Sequence, residues 1–185
     1  MPKKIGILNF GMGNLLSIQN ALNYLEKDSF IIDNYKSIKN SDFIIIPGVG
    51  SFGVAMRNLK KKNYIEPLQE IYQKKNKILI GICLGMQLIG QSSNEIKINK
   101  GLGFAKFKTE KFPKKKNFPI PHVGFNTVKI VNKSSIFKGL ENNSYFYFTH
   151  SFRVKLNKDK AHIGSSYYIN DFLSVYEKEN IIATQ

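Results

Sequence analysis

A lone cysteine, Cys83, stands between two glycines in the segment Gly81-Ile82-Cys83-Leu84-Gly85, directly after an apolar run. This is the spacing of a nucleophile elbow, in which a tight strand-to-helix turn lifts the central side chain clear of the sheet. A helix beginning near Leu84 would point its dipole at the sulfur and favour the reactive thiolate. The spacing therefore predicts a cysteine nucleophile. The alternative is a buried structural cysteine, the commoner fate of an isolated thiol in apolar surroundings.

A glycine-rich segment, 47–53, also follows an apolar run directly. Its sequence, Pro-Gly-Val-Gly-Ser-Phe-Gly, places three glycines within six residues. Such backbone approaches a ligand closely and aims N–H groups into a cleft, as an oxyanion hole requires. Because loops at the carboxyl ends of parallel strands converge, we expect this segment beside Cys83. The alternative is a wide glycine turn without a ligand.

Two other features of the sequence are weak indications of cofactor or metal binding. The loop 11–14, Gly-Met-Gly-Asn, begins like a dinucleotide-binding fingerprint, but Leu16 occupies the place of the third glycine. The three histidines, His122, His150 and His162, are isolated from other metal-ligating side chains. We therefore expect no metal and no cofactor.

The chain has 185 residues and a net charge of +15, which raises the question of a nucleic-acid partner. Its lysine clusters, at 60–62, 74–75 and 114–116, lie in separate segments without interleaved aromatics. We therefore expect a solvated surface and no nucleic-acid partner, with a polyanion site as the alternative. A third use is electrostatic attraction of an acidic protein partner or a phosphorylated metabolite.

The compartment follows from cysteine use and hydropathy. One cysteine cannot form an internal disulfide, and the sequence shows neither a secretory leader nor an apolar run near twenty residues. We expect a cytoplasmic protein with no membrane partner.

The first half of the chain alternates apolar runs with helical patterns, which predicts a parallel sheet covered by helices on both faces. The second half shows short alternating runs typical of antiparallel strands, with a mobile lysine-rich loop at 108–116. The sequence thus predicts one doubly wound α/β domain with an antiparallel C-terminal extension. The predicted strands are 4–10, 30–33, 43–46, 78–82, 127–131, 144–148, 152–156, 162–168 and 172–176, and the predicted helices are 15–27, 54–62 and 65–75.

Four segments, 47–53, 81–87, 121–126 and 147–152, share the order and spacing of a known family. From Lys4 to Gln185 the chain resembles the glutaminase subunit of imidazole glycerol phosphate synthase, a class I (triad) glutamine amidotransferase. The resemblance implies a flavodoxin-like fold and a Cys83 thiolate that attacks the side-chain amide of glutamine. It also implies roles for further residues: Gly48, Val49, Gly50 and Leu84 in the oxyanion hole, Gln87, His150, Ser151 and Phe152 in glutamine binding, and His122, Gly124, Phe125 and Asn126 at the partner interface.

The implied partner is a (β/α)8 cyclase subunit, which forms a heterodimer with the glutaminase and receives its ammonia. That pair makes imidazole glycerol phosphate in histidine biosynthesis. Two alternatives share the same motifs: a paralogous glutaminase supplying ammonia for amidination of a bacterial surface sugar, and a catalytically incomplete docking subunit.

Three departures from the family pattern matter. The family usually has Asp-Tyr where this chain has Asn9-Phe10, and Trp where it has Phe125. It continues after Gln185 with Phe-His-Pro-Glu, whose His and Glu complete the triad. No histidine in this chain is followed two places later by Glu. We therefore expect residues 1–185 to be one domain that lacks its C-terminal end; a natively short product is the alternative.

Overall fold

The computed structural model describes residues 3–156 and 159–185. Within these ranges it has four α-helices: α1 Leu15–Tyr24, α2 Phe52–Lys61, α3 Ile65–Lys74 and α4 Leu84–Ile89. Two 3₁₀ helices span Tyr35–Asn40 and Ser135–Phe137. The strands are β1 Ile5–Leu8, β2 Ser29–Ile32, β3 Phe43–Ile46, β4 Ile78–Ile82, β5 Ser92–Ser93, β6 Asn99–Lys100, β7 Lys108–Lys111, β8 His122–Ile130, β9 Ser144–His150, β10 Phe152–Val154, β11 His162–Tyr168, β12 Asn170–Lys178 and β13 Ile181–Thr184.

Five parallel strands form the centre of the sheet, in the order β2-β1-β3-β4-β13. Ile46 pairs with Gly81, and Ile82 pairs with Thr184, so β3, β4 and β13 end at the same edge. These strands are apolar along their length because a parallel sheet is buried on both faces. The predicted α/β core is confirmed.

The sheet continues as antiparallel strands beyond β13. β12 pairs antiparallel with β13, and β10 joins β12 to β7. A branch through β11 carries the long β8–β9 hairpin, in which His122 lies opposite His150. The predicted antiparallel extension is confirmed, although β8 begins five residues before the predicted strand at Thr127.

The prediction of a mobile loop over 108–116 is wrong for its first four residues, which form β7. Lys111 pairs with Phe152, and the Thr109 side chain is buried. Glu110 accepts a hydrogen bond from Arg153 at 2.8 Å, which ties β7 to β10. Lysine-rich composition does not show that the intervening Thr109 faces the interior.

Two clusters of buried hydrophobic residues pack against the sheet. The larger one packs the helices on the parallel strands, and the smaller one lies under the β8–β9 hairpin. In the smaller cluster, Phe112, Phe148 and Phe172 are buried against the two histidine rings of that hairpin. In the described ranges no helix has the length and hydropathy needed to cross a membrane.

Candidate active site

The backbone at Cys83 turns sharply between β4 and α4. Cys83 has φ 53° and ψ −108°, a left-handed conformation that costs a side-chain-bearing residue energy. Its N–H donates to the carbonyl of Thr184 at 2.7 Å, which anchors the turn to β13. A Cβ on Gly85 would lie 1.8 Å from the carbonyl oxygen of Ile46. Glycine is therefore required there for the elbow to sit against the end of β3.

Cys83 lines a cleft of about 560 Å³ at the carboxyl edge of the sheet. The glycine loop after β3, the elbow, and the segment joining β9 to β10 all contribute to it. Pro121 lines it as well, so all four segments singled out from sequence converge. The lining residues are Val49, Gly50, Ser51, Cys83, Leu84, Gln87, Glu95, Pro121, Thr149, His150, Ser151 and Phe152.

The glycine loop contacts the elbow directly. A Cβ on Gly48 would lie 2.8 Å from Cβ of Leu84, so a larger residue would push the loop away. Val49 is 60% exposed at the loop tip, and Gly50 has φ 98°. Val49, Gly50 and Ser51 of the loop line the cleft, where an oxyanion site would need backbone N–H donors.

The Cys83 thiol does not meet the expectation of a favoured thiolate. Burial raises its pKa, and hydrogen bonds from the Leu84 amide and the Gln185 side chain offset only part of that rise. Helix α4 is six residues long, so its dipole is small. Desolvation of the charged form outweighs both donors in this conformation.

A hydrogen-bonded pair of glutamines lies next to the thiol. Nε2 of Gln87 donates to the carbonyl of Phe152 at 3.2 Å and to Oε1 of Gln185 at 3.0 Å. Nε2 of Gln185 in turn lies 3.5 Å from Sγ of Cys83. The predicted substrate residues Gln87 and Phe152 are therefore connected to the sulfur.

Glu95 also lines the cleft, although no motif in the sequence predicts a role for it. Its Oε2 accepts a hydrogen bond from the Phe52 N–H at 2.6 Å, at the N-terminus of α2. This bond also explains why α2 begins two residues before the predicted Val54. The one sequence feature that distinguishes Glu95 is its isolation: it is the only acidic residue between Glu70 and Glu110 in a strongly basic chain.

His150 is the histidine that lines the cleft among the described residues, but both of its ring nitrogens are engaged. Nδ1 lies 2.8 Å from the carbonyl of Phe152, and Nε2 lies 3.0 Å from Nδ1 of His122. Burial lowers the pKa of His150 to about 4. This arrangement orients the ring, and it leaves neither nitrogen free to take a proton from Cys83.

The four residues matched to the partner interface lie on β8 with different orientations. The side chain of Phe125 is 74% exposed and contacts the Tyr147 ring at 5.4 Å between centroids. His122 is buried, with only 3% of its surface exposed. Asn126 donates to the carbonyl of Tyr167 at 2.8 Å. Gly124, at φ 134°, has open space at its Cβ position. Phe125 therefore presents the largest contact surface of the four, and the His122 side chain points inward.

No group of three or more potential metal ligands occurs within residues 3–156 and 159–185. The polar side chains that line the cleft are the carboxylate of Glu95, the amide of Gln87, the imidazole of His150, the thiol of Cys83 and the hydroxyls of Ser51, Thr149 and Ser151. Such a set suits an amino acid amide with its own charged groups. The chemistry available is attack by a thiol on a carbonyl next to backbone N–H groups.

The family model for class-I glutamine amidotransferases matches residues 7–185. The HisH subunit of imidazole glycerol phosphate synthase from Methanocaldococcus jannaschii is 42% identical over 184 residues, covering 98% of this chain and 89% of that protein. Subunit HisH 1 from Campylobacter jejuni (strain RM1221) is 38% identical over 181 residues, covering 98% of this chain and 90% of that one.

Solved structures agree in fold at low identity. A crystal structure of a glutamine amidotransferase superposes with a TM-score of 0.75 at 11% identity, over 97% of this chain and 87% of that one. A glutamine amidotransferase from Thermotoga maritima superposes with a TM-score of 0.67 at 12% identity, over 100% of this chain and 75% of that one. The predicted family is confirmed: this chain belongs to the class-I glutamine amidotransferases, among the relatives named HisH.

Proposed function

We propose that this chain is the glutaminase subunit of an imidazole glycerol phosphate synthase, which hydrolyses glutamine to glutamate and ammonia through a thioester on Cys83. The observation that carries the proposal is the convergence of the Cys83 elbow and the 48–50 glycine loop on one cleft. Relatives that are 38–42% identical over 98% of the chain bear the name of that synthase subunit.

The chemistry proceeds in two steps. The Cys83 thiolate attacks the side-chain carbonyl of glutamine, and the oxyanion forms near the N–H of Leu84 and the loop amides. The C–N bond then breaks, the nitrogen takes up a proton and leaves as ammonia, and a glutamyl thioester remains. Water attacks the thioester carbonyl, which releases glutamate and returns the sulfur.

Glutamine has two charged groups at its α-carbon, and the cleft offers a partner for one of them. The carboxylate of Glu95 uses Oε2 to accept from Phe52, which leaves Oε1 for the α-ammonium group. Gln87 and the 149–152 segment also line the cleft and suit the α-carboxylate and backbone of the substrate. This arrangement selects an amino acid over a simple amide.

The general base belongs, in this proposal, to residues that would continue β13 beyond Gln185. The Gln185 side chain faces Cys83, and alternate residues of a strand share a face. A histidine second after Gln185, as the family resemblance expects, would therefore face the sulfur as well. The occupied nitrogens of His150 support looking for the base there.

The partner surface is the exposed aromatic face of the β8–β9 hairpin. Phe125, Tyr145 and Tyr147 are 74%, 72% and 57% exposed, an unusual concentration of aromatic area on one hairpin. Aromatic residues are enriched at protein interfaces. We assign this face to a (β/α)8 cyclase that receives the ammonia for histidine biosynthesis. A catalytic thiol also suits the reducing cytoplasm.

The test measures glutamate release in the presence of the cyclase. The chain would be compared with a version continued by Phe-His-Pro-Glu and with Cys83→Ser in that version. We expect release from the continued version, none from Cys83→Ser, and release lower by about 10²- to 10⁴-fold from the 185-residue chain. A continued version that binds the cyclase but releases no glutamate would reject the glutaminase assignment.

A further inference from the structure

Two buried histidines face each other across the β8–β9 hairpin, outside the reacting groups of the cleft. His122 is 3% exposed and His150 is 6% exposed. Nδ1 of His122 lies 3.0 Å from Nε2 of His150. The mechanism proposed above uses neither ring to transfer a proton, so the pair needs another explanation.

The partners of the two rings fix where their protons are. Nδ1 of His150 lies 2.8 Å from the carbonyl of Phe152, and a carbonyl only accepts, so this nitrogen carries the proton. In a neutral ring Nε2 of His150 is then an acceptor, and Nδ1 of His122 must donate to it. Nε2 of His122 is left as an acceptor, 3.3 Å from the amide nitrogen of Asn126.

The hydrogen bonds therefore run in one direction, from Asn126 through His122 and His150 to the carbonyl of Phe152. That arrangement requires both rings to be neutral. Burial lowers the pKa of both histidines, which agrees with it. Rings of Tyr168 and Phe148 stack on His122 at centroid distances of 4.0 and 5.3 Å and hold it in place.

The end of this chain of bonds lies in the glutamine cleft. The Phe152 carbonyl also accepts from Nε2 of Gln87 at 3.2 Å. A second proton on the same Nε2 goes to Gln185, so both donors of Gln87 are assigned. The Gln87 amide can present its oxygen to the substrate in one orientation only, and the Phe152 carbonyl helps to set it.

We infer that His122 is a positioning residue for the glutamine cleft. Its Nδ1 donates to Nε2 of His150 and so holds the tautomer in which Nδ1 of His150 carries a proton. That proton fixes the Phe152 carbonyl, and the carbonyl in turn fixes the amide of Gln87. This inference rests on the proposed function, because it assigns the cleft to glutamine. It gives the hairpin that carries the exposed aromatic face a direct connection to the substrate site.

Two substitutions separate the hydrogen bond of His122 from its packing. His122→Phe keeps an aromatic ring between Tyr168 and Phe148 but removes the donor to His150. His122→Asn loses much of the ring but places its side-chain nitrogen where Nδ1 was, so it restores the donor. A purely structural role would make His122→Asn the more damaging change, whereas the positioning role makes it the milder one.

The measurement is alkylation of Cys83 in the 185-residue chain, which needs no turnover. A glutamine-like diazoketone gives an inhibition constant and a maximal rate, and iodoacetamide, which lacks the amino acid portion, reports the thiol alone. We expect His122→Phe to raise the inhibition constant about tenfold, because one buried hydrogen bond is lost. The maximal rate of inactivation by the diazoketone and the rate of alkylation by iodoacetamide should stay unchanged. His122→Asn should restore the inhibition constant.

A second readout uses the wild-type chain and covers the case in which a variant does not fold. Nitrogen-15 spectra of the histidine rings should show His150 protonated at Nδ1 and His122 protonated at Nδ1. A proton on Nε2 of His150 overturns the inference, as do equal inhibition constants for wild type and His122→Phe. Reaction of the wild type with iodoacetamide but not with the diazoketone overturns the proposed function itself, and the positioning role with it.

Discussion

Nε2 of Gln185 lies 3.5 Å from Sγ of Cys83, and this side-chain donor is one of two groups that lower the thiol pKa against the effect of burial. Gln185→Leu removes the donor at similar volume. We expect the thiol pKa to rise further, so that alkylation by iodoacetamide at pH 8 slows about fivefold, the effect of losing a hydrogen bond of about 1 kcal/mol. Gln91→Leu, at an exposed glutamine, is the control. An unchanged alkylation rate in Gln185→Leu would show that this contact does not stabilise the thiolate.

The elbow depends on the missing side chain of Gly85. A Cβ there would lie 1.8 Å from the carbonyl oxygen of Ile46, which is backbone and cannot rotate away. We expect Gly85→Ala to lower the free energy of unfolding by about 3 kcal/mol or more. Gly139→Ala is the matched control, since Gly139 has φ 84° and open space around it, and should cost only about 1 kcal/mol. Urea unfolding of both variants decides, and equal losses would contradict the steric argument.

The sequence predicted the parallel core well because buried parallel strands such as Phe43–Ile46 are continuous apolar runs. It also predicted the approach of the glycine loop to Cys83, since both follow strands that end at one edge. It did not predict β7 at Lys108–Lys111, where three polar or charged neighbours surround a buried Thr109. Local pattern cannot show which strand a charged segment pairs with.

In the candidate site, too, local features could be predicted from the sequence and features that depend on distant contacts could not. The elbow could be predicted from two glycines and a cysteine, because the constraint is local backbone geometry. Glu95 could not be predicted, because its loop is distant in sequence from Phe52. Only the fold brings the carboxylate to the cleft, where it accepts a hydrogen bond from the Phe52 N–H. The inward direction of His122 was also beyond the sequence, since it depends on the register that sets His122 opposite His150.

Protonation of the buried His150 should make the fold acid-sensitive. Its pKa is lowered from 6.5 to about 4, so the unfolded chain binds a proton more readily than the folded one. The stability contributed by the neutral ring is therefore complete above pH 6.5 and is lost as pH falls toward 4, by as much as about 3 kcal/mol. His122, whose pKa burial also lowers, adds a loss of the same sign.

The control for this acid sensitivity is His150→Asn, which keeps a donor for the Phe152 carbonyl but has no group that titrates in this range. Urea unfolding at intervals between pH 7 and pH 4 should give a smaller loss of stability for the variant than for the wild type. If the two pH profiles run parallel, the titration of His150 does not contribute.

The aromatic face of the β8–β9 hairpin should carry much of the affinity for the cyclase. Phe125→Ser removes a ring that is 74% exposed and rests on Tyr147. We expect the dissociation constant, measured by calorimetry, to rise by about 10- to 100-fold, as for truncation of an interface aromatic. Tyr24→Ser is the control, because Tyr24 is 89% exposed on α1, away from this hairpin. Equal effects of the two substitutions would remove the reason for placing the partner there.

Glu95 should select for the α-ammonium group of glutamine. Glu95→Gln keeps the size of the side chain and an acceptor for the Phe52 amide but removes the negative charge from the cleft. We expect the inhibition constant of a glutamine-like diazoketone to rise by about 10- to 100-fold, the usual effect of losing a charge-assisted contact. The same diazoketone without its amino group should bind wild type and Glu95→Gln equally, because neither complex then contains the charge pair. A loss of affinity that is the same for both reagents would assign Glu95 to holding the start of α2 and leave the ammonium group without this partner.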